Sequence, residues 1–292
     1  VIGEEFPYLK IKDRIPELVK KLKVEQNKYV WFKAASAITT TDTRVKVAYE
    51  ECKIGNKLIK ISGIAKGSGM IAPNMATMLS FIFTDANIPS VFLKSILKKV
   101  AATTFNSISI DNDMSTNDMV GIFATGKAKN SKLYNVLDPK LQDFEKALHR
   151  LCLNLAKQIV VDGEGAKKFI TIKVIGAKSI SMAKNIGFSI ANSPLFKTAI
   201  AGEDPNWGRI VMAIGKSGEN IVPNKVQIKI GDYLVAEQNM VAKDYNEKMI
   251  KKYMEWDSIQ IEVNLNIGNG SFTTYTCDFT HDYIDINADY RN

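Results

Sequence analysis

Residues 139–160 place the strongest constraint on what this chain can fold into. Leu141, Phe144, Leu148, Leu151, Leu155 and Ile159 recur at helical spacing behind Pro139, so they line one side of a long amphipathic helix. So continuous an apolar stripe has to lie against another apolar surface, and the flanking sequence supplies strands for it. Residues 46–52 and 57–64 read as two strands about Gly55-Asn56, a hairpin signal. Residues 77–83 and 119–124 read as buried strands, 107–111 as a short one, and 169–174 as the strand beyond the helix-breaking Asp162-Gly163-Glu164-Gly165. Helical patterns cover 14–37, 89–103, 181–191 and 207–214, and Asp244 is placed to cap a short helix before Trp256. Strands are expected at 226–233 and at 259–266, the latter paired with 271–279 across Gly268-Asn269-Gly270. The pattern is mixed α/β, without a solenoid-length repeat, a GxGxxG fingerprint or a Walker A loop.

At 292 residues the chain can bury a large core, as one domain or two. Its formal charge of +8 raises the question of nucleic acid. The lysines are spread along the whole length, with no zinc-finger spacing, RNP-type aromatics or basic-region helix, so a solvated basic surface that helps attract anionic substrates is expected instead. Cys52, Cys152 and Cys277 are far apart and odd in number, which indicates reduced, cytosolic-type thiols rather than a disulfide framework or a zinc site. With His149 and His281 as the only histidines, a Ser-His-Asp triad or a histidine metal site has little to draw on. No apolar run approaches the length of a membrane span and no signal peptide is legible. The chain opens at Val1 without an initiator Met and is expected to belong to a longer gene product. Asp111, Asp113 and Asp118 are closely spaced but lack the Gly and terminal Glu of a calcium loop.

Thr77 invites a chemical reading. By residue type it is an ordinary strand threonine. Its neighbourhood, however, is rich in small and turn-forming residues: Gly67, Ser68, Gly69, Ala72, Pro73 and Ala76. A small residue before a threonine leaves the linking carbonyl open to the hydroxyl. An N-to-O acyl shift followed by hydrolysis would then free an α-amine on Thr77, a base of suitable pKa beside its own hydroxyl. Acyl transfer could thus proceed without histidine.

The stretch Lys66-Gly67-Ser68-Gly69-Met70-Ile71-Ala72-Pro73-Asn74-Met75-Ala76-Thr77-Met78-Leu79 resembles the signature of the ornithine acetyltransferase (glutamate N-acetyltransferase) family of arginine biosynthesis. Further matches follow in order: Thr40-Thr41-Asp42-Thr43; Phe105-Asn106-Ser107-Ile108-Ser109-Ile110-Asp111 with Ser115-Thr116-Asn117-Asp118; Asp162-Gly163-Glu164-Gly165-Ala166; Gly202-Glu203-Asp204-Pro205-Asn206-Trp207-Gly208-Arg209-Ile210; and Asp285-Ile286-Asn287-Ala288-Asp289-Tyr290. The resemblance covers essentially the whole chain. It implies an α/β fold of mixed sheets covered by helices in four layers, similar to N-terminal-nucleophile enzymes without sharing their topology. It also implies self-cleavage between Ala76 and Thr77. Residues 1–76 would be the remainder of an α-chain and 77–292 the β-chain, with 77–175 the core carrying the nucleophile and 176–292 a C-terminal α/β portion.

The implied reaction is ping-pong. Thr77 takes acetyl from N2-acetylornithine, ornithine leaves, and the amine of glutamate takes the acetyl group; some family members also accept acetyl-CoA. By residue-to-residue match, Thr41, Lys66, Thr77, Glu164, Asn287 and Asn292 would contact substrate, with Thr40 or Thr43 as alternatives to Thr41. Lys66 would suit an α-carboxylate as a flexible point charge, and Glu164 a substrate ammonium. The ordinary roles of these residues are a surface lysine, a turn or cap threonine, an exposed loop carboxylate and a helix-end asparagine. No metal or cofactor is implied, so Asp111, Asp113 and Asp118 read as turn-forming, hydrogen-bonding residues, and Trp207-Gly208-Arg209 as structural support. An α2β2 assembly in the cytoplasm is implied, with no nucleic acid or membrane partner. Three departures stand out. The family's oxyanion Thr-Gly pair would precede Val1, Asn292 stands where threonine or serine is usual, and Ala166-Lys167-Lys168 replaces Ala-Thr-Lys. The alternatives are an aminopeptidase-like hydrolase on the same scaffold and a non-catalytic basic binding protein.

Overall fold

The computed structural model describes residues 5–22, 27–72, 78–114 and 118–289. Helices α1 (Tyr8–Lys12), α2 (Ile15–Lys20) and α3 (Lys28–Ala37) precede the hairpin of β1 (Lys46–Ile54) and β2 (Lys57–Lys66). After them come β3 (Leu79–Thr84), α4 (Ser90–Ala101), β4 (Met119–Ala124) and the long α5 (Gln142–Val161). The four strands form one sheet in the order β1-β2-β3-β4, antiparallel except for β3 with β4. A parallel pair needs a crossover, and α4 lies on it. The stripe of α5 finds its surface across β1 and β2. Leu148, Leu151 and Leu155 are fully buried in one core with Ile59 and Ile61 of β2 and Ile82 of β3.

The second half consists of β5 (Phe169–Ala177), α6 (Ile180–Ala191), α7 (Pro194–Ala201), α8 (Trp207–Gly215), β6 (Gln227–Ile230), β7 (Tyr233–Glu237), β8 (Met240–Val241), α9 (Glu247–Met254), β9 (Ser258–Asn264), β10 (Gly270–Cys277) and α10 (His281–Ala288). Its sheet runs β10-β5-β9-β6-β7-β8 and is mixed, with β5 and β9 parallel. Helix α6 covers β10 and β5 and starts at Ser179, whose hydroxyl accepts the Met182 N–H. A second core joins Ile170, Ile172 and Val174 of β5 to Ala183, Ile186 and Ile190 of α6. The architecture is thus mixed α/β, two mixed sheets covered by helices.

Several expected elements take a different form. The helix read over 14–37 is two, because Asn27 is extended and its side chain accepts the Val30 N–H, starting α3 afresh. Residues 107–111 carry only a 3-10 turn and a single bridge, Ile108 to Tyr275. The strand expected at 226–233 is the start of a hairpin that turns at Gly231, φ 58°. Strands β9 and β10 are not partners, since β5 lies between them. Asn246, rather than Asp244, caps α9.

Where the two halves meet, the Ser109 N–H donates to the Tyr275 carbonyl at 3.0 Å, and Ser109 Oγ donates to Asn192 Oδ1 at 2.5 Å. All three cysteines are free thiols, Cys152 and Cys277 buried and Cys52 half-buried. Burial pushes the Cys52 thiol up to about 11. Among the described residues no helix is long and apolar enough to cross a membrane.

Candidate active site

Strand β2 ends at Lys66, opposite Leu79 of β3, and the chain then turns through Gly67-Ser68-Gly69. A turn leaves backbone donors without ladder partners, and here side chains take them. Asp42 Oδ1 accepts the Gly67 N–H at 2.7 Å, and its Oδ2 accepts the Thr40 N–H at 3.2 Å. Burial alone would raise the Asp42 carboxyl; the Gly67 N–H and the Lys46 ammonium outweigh it and hold the group below the usual carboxylate range. The Thr41 hydroxyl meets Ser68 Oγ at 2.6 Å. Of the neighbouring threonines, Thr43 turns its hydroxyl to Asp162 instead.

Glu164 reaches the same turn from the loop after α5, its N–H donating to the Ser68 carbonyl at 2.8 Å. Its carboxylate lies over the α-carbon of Gly69, where a Cβ would stand 2.6 Å from Oε2. Asn287, on α10, donates from Nδ2 to Glu164 Oε2 at 3.0 Å and to the Tyr283 carbonyl at 2.9 Å. Helix α10 has no buried residue, yet it is docked closely. Gly165 has φ 70°, and a Cβ there would come within 2.4 Å of the Tyr283 backbone nitrogen, so only glycine fits. Thr280 Oγ1 completes the contact by donating to the Gly165 carbonyl at 2.7 Å. Burial, with the charges of Asp111, Asp113 and Glu164, pushes the Tyr283 phenol up to about 12. The Glu164 carboxylate thus lies over the turn, and Lys66, the residue that precedes it, carries the opposite charge, which reaches Asp118; the two charges suit a zwitterionic amino acid.

Two further carboxylates hold backbone on either side of residues 73–77. Asp111 accepts the Met70 N–H at 2.6 Å and the Ile71 N–H at 3.0 Å, stabilising Met70 in its left-handed conformation (φ 51°). Asp118 Oδ1 accepts the Met78 N–H at 2.8 Å, while its Oδ2 is buried and has no hydrogen-bond partner among the described residues. Burial raises both carboxyls above their ordinary range, and the Lys66 charge offsets part of this at Asp118.

Of the residues read from the sequence, Glu164 and Asn287 are joined directly, Thr41 bonds Ser68 of the turn that Glu164 also meets, and Lys66 immediately precedes that turn. Ala76, Thr77 and Asn292 lie outside the described residues. Arg209 donates to the Leu195 carbonyl and Thr198 Oγ1, tying α8 to α7. Lys167, which replaces threonine, and Lys168 both have structural work: their backbone N–H groups donate to Asp278, and Lys168 Nζ bonds Glu203 and the Met254 and Trp256 carbonyls. Sequence reasoning assigned no role to Ser68 or to the Asp42 carboxylate, although both lie inside the motifs quoted above, whereas Asp111 and Asp118 have the hydrogen-bonding roles expected of them.

The sequence pattern of the ArgJ family matches residues 1–292. The chain belongs to the ArgJ family. It is 51% identical over 265 residues to the arginine biosynthesis bifunctional protein ArgJ of Brucella melitensis, covering 90% of this chain and 64% of that protein. With the protein of the same name from Gluconobacter oxydans it shares 48% identity over 292 residues, 100% of this chain and 68% of the other. The chain thus spans slightly less than two thirds of the length of the Brucella relative. The crystal structure of ArgJ from Bacillus halodurans superposes with a TM-score of 0.68 at 42% identity, over 70% of this chain and 96% of that one. The family resemblance read from the ordered motifs is borne out over the full length, and the ArgJ fold accounts for the two mixed sheets.

Proposed function

We propose that this ArgJ-family chain carries the acyl-accepting part of a glutamate N-acetyltransferase, with Thr77 as the nucleophile freed by self-cleavage after Ala76. Acetyl passes from N2-acetylornithine to the Thr77 hydroxyl, ornithine leaves, and glutamate takes the acetyl group from the ester. The observation that carries this reading is the oppositely charged turn. Lys66 directly precedes Gly67-Ser68-Gly69 and the Glu164 carboxylate lies over Gly69, with Thr41 bonded to Ser68 and Asn287 to Glu164. Both amino-acid substrates present an α-carboxylate, which the Lys66 ammonium can meet in each half-reaction of a ping-pong exchange, while the Glu164 carboxylate suits the ammonium at the end of the N2-acetylornithine side chain. The bifunctional designation of the ArgJ relatives fits acetyl-CoA as a second donor. The reading extends to an α2β2 assembly of the two cleavage products in the cytoplasm, and to Asn292 as a substrate contact.

The test is an acetyl-transfer assay on the full-length protein with acetylornithine and acetyl-CoA as alternative donors, beside intact-mass measurement. Wild type is expected to show two chains divided between Ala76 and Thr77. Thr77→Ala should remain one chain and lose transfer by at least about 10³-fold, as for removal of a covalent nucleophile. Loss of acetyl from acetylornithine at full rate without glutamate would instead make the protein a hydrolase.

A further inference from the structure

Beneath the turn lies a group of charges for which the reaction itself has no use. The Lys46 ammonium stands 2.6 Å from Asp42 Oδ1 and 2.5 Å from Asp162 Oδ2, and also donates to the Arg44 carbonyl at 3.2 Å. The side chains of Lys46, Asp42 and Asp162 are 1%, 0% and 2% exposed, so this is an ion triad removed from water. Such a group is costly to bury and contributes little to stability compared with apolar side chains of the same volume. Its placement indicates another use.

The same carboxylate oxygens that hold Lys46 also accept backbone N–H groups of the segments that carry Thr41 and Lys66. Asp42 accepts from Gly67, next to Lys66, and stands itself next to Thr41. Asp162 Oδ2 accepts the N–H groups of Thr43 at 3.1 Å and Arg44 at 3.2 Å, its Oδ1 accepts the Thr43 hydroxyl, and Glu164 follows two residues later. Three segments distant in sequence, at 41–46, 66–68 and 162–164, are therefore pinned to one buried ammonium. Each carries one of the charged or hydroxyl groups offered to substrate.

We infer that Lys46, Asp42 and Asp162 are positioning residues that set the mutual spacing of Thr41, Lys66 and Glu164, and so act on substrate affinity through those three. The inference rests on the substrate-binding reading above. A rigid ionic core suits this task, because two different amino acids that use one site in turn must meet partners held at fixed spacing.

The test uses Lys46→Met and Asp162→Asn in the full-length protein, the second keeping an oxygen for the Thr43 and Arg44 amides. Both should raise KM for acetylornithine and for glutamate about tenfold or more, with kcat changed far less. In double-mutant cycles with Glu164→Gln the losses should be strongly non-additive, whereas Lys173→Met, in the exposed pair with Glu262, should add independently. If Lys46→Met does not fold, Asp162→Asn decides by the same measures. Wild-type KM values, or additive losses, in folded Asp162→Asn overturn the proposal. If the wild type moves no acetyl group, or Thr77→Ala does, the underlying reading fails instead. The triad is then judged by amide hydrogen exchange, where faster exchange at Gly67 and Thr43 in Asp162→Asn supports it and unchanged exchange overturns it.

Discussion

Gly69 and the Glu164 carboxylate occupy nearly the same space, and this makes a single methyl group informative. A Cβ at Gly69 would stand 2.6 Å from Glu164 Oε2, and the atoms that must yield are the far end of a flexible side chain. Gly69→Ala is therefore expected to change Tm by less than about 2 °C while raising KM for both amino acids about tenfold. Thermal melting and steady-state kinetics on one preparation check this, and an unchanged KM would refute a substrate role for Glu164. At this scale the sequence was partly legible. Thr41, Lys66, Glu164 and Asn287 could be named because each sits in a matched motif. That Asn287 grips Glu164, or that Lys46 joins Asp42 to Asp162, could not be read, because those partners are 123 and 116 residues apart. Pairings across such separations follow from packing of the sheets, not from local spacing.

Among the elements, α5 and α6 illustrate two different sources of stability. Leu151 of α5 is fully buried between the helix and its sheet, so Leu151→Ala should cost about 2–5 kcal/mol through lost burial and the remaining cavity. Ser179 supplies α6 with one capping bond, so Ser179→Ala should cost only about 1 kcal/mol. Denaturant unfolding of the two variants should reproduce that order, and equal losses would contradict the packing described. The same contrast explains which elements could be read from sequence. The α5 stripe and the β1–β2 hairpin declare themselves by period and turn residues. Helix α7 was missed although Ser193-Pro194 is a cap followed by a first-turn proline. Strand β10 was given the wrong neighbour because a glycine-rich connection looks the same whether its strands pair or flank a third.

At the scale of the whole chain, the formal charge of +8 should distinguish the two half-reactions of the proposed exchange. Glutamate carries a net negative charge, whereas N2-acetylornithine is a neutral zwitterion. Raising ionic strength from about 0.05 M to about 0.5 M should lower kcat/KM for glutamate about two- to threefold and leave that for acetylornithine nearly unchanged. Equal salt sensitivity of the two would show that long-range attraction plays no part.

The concealed thiols offer a way to watch this architecture come apart. Cys152 sits within the α5 core and Cys277 ends β10 in the same core, where reagents in solvent cannot reach, while Cys52 is half-covered and holds its proton up to about 11. A thiol-specific dye at neutral pH therefore meets an almost silent native protein. Each site that becomes labelled marks an excursion that opened its own surroundings, and peptide mapping of the label turns three ordinary side chains into separate clocks for local and global opening.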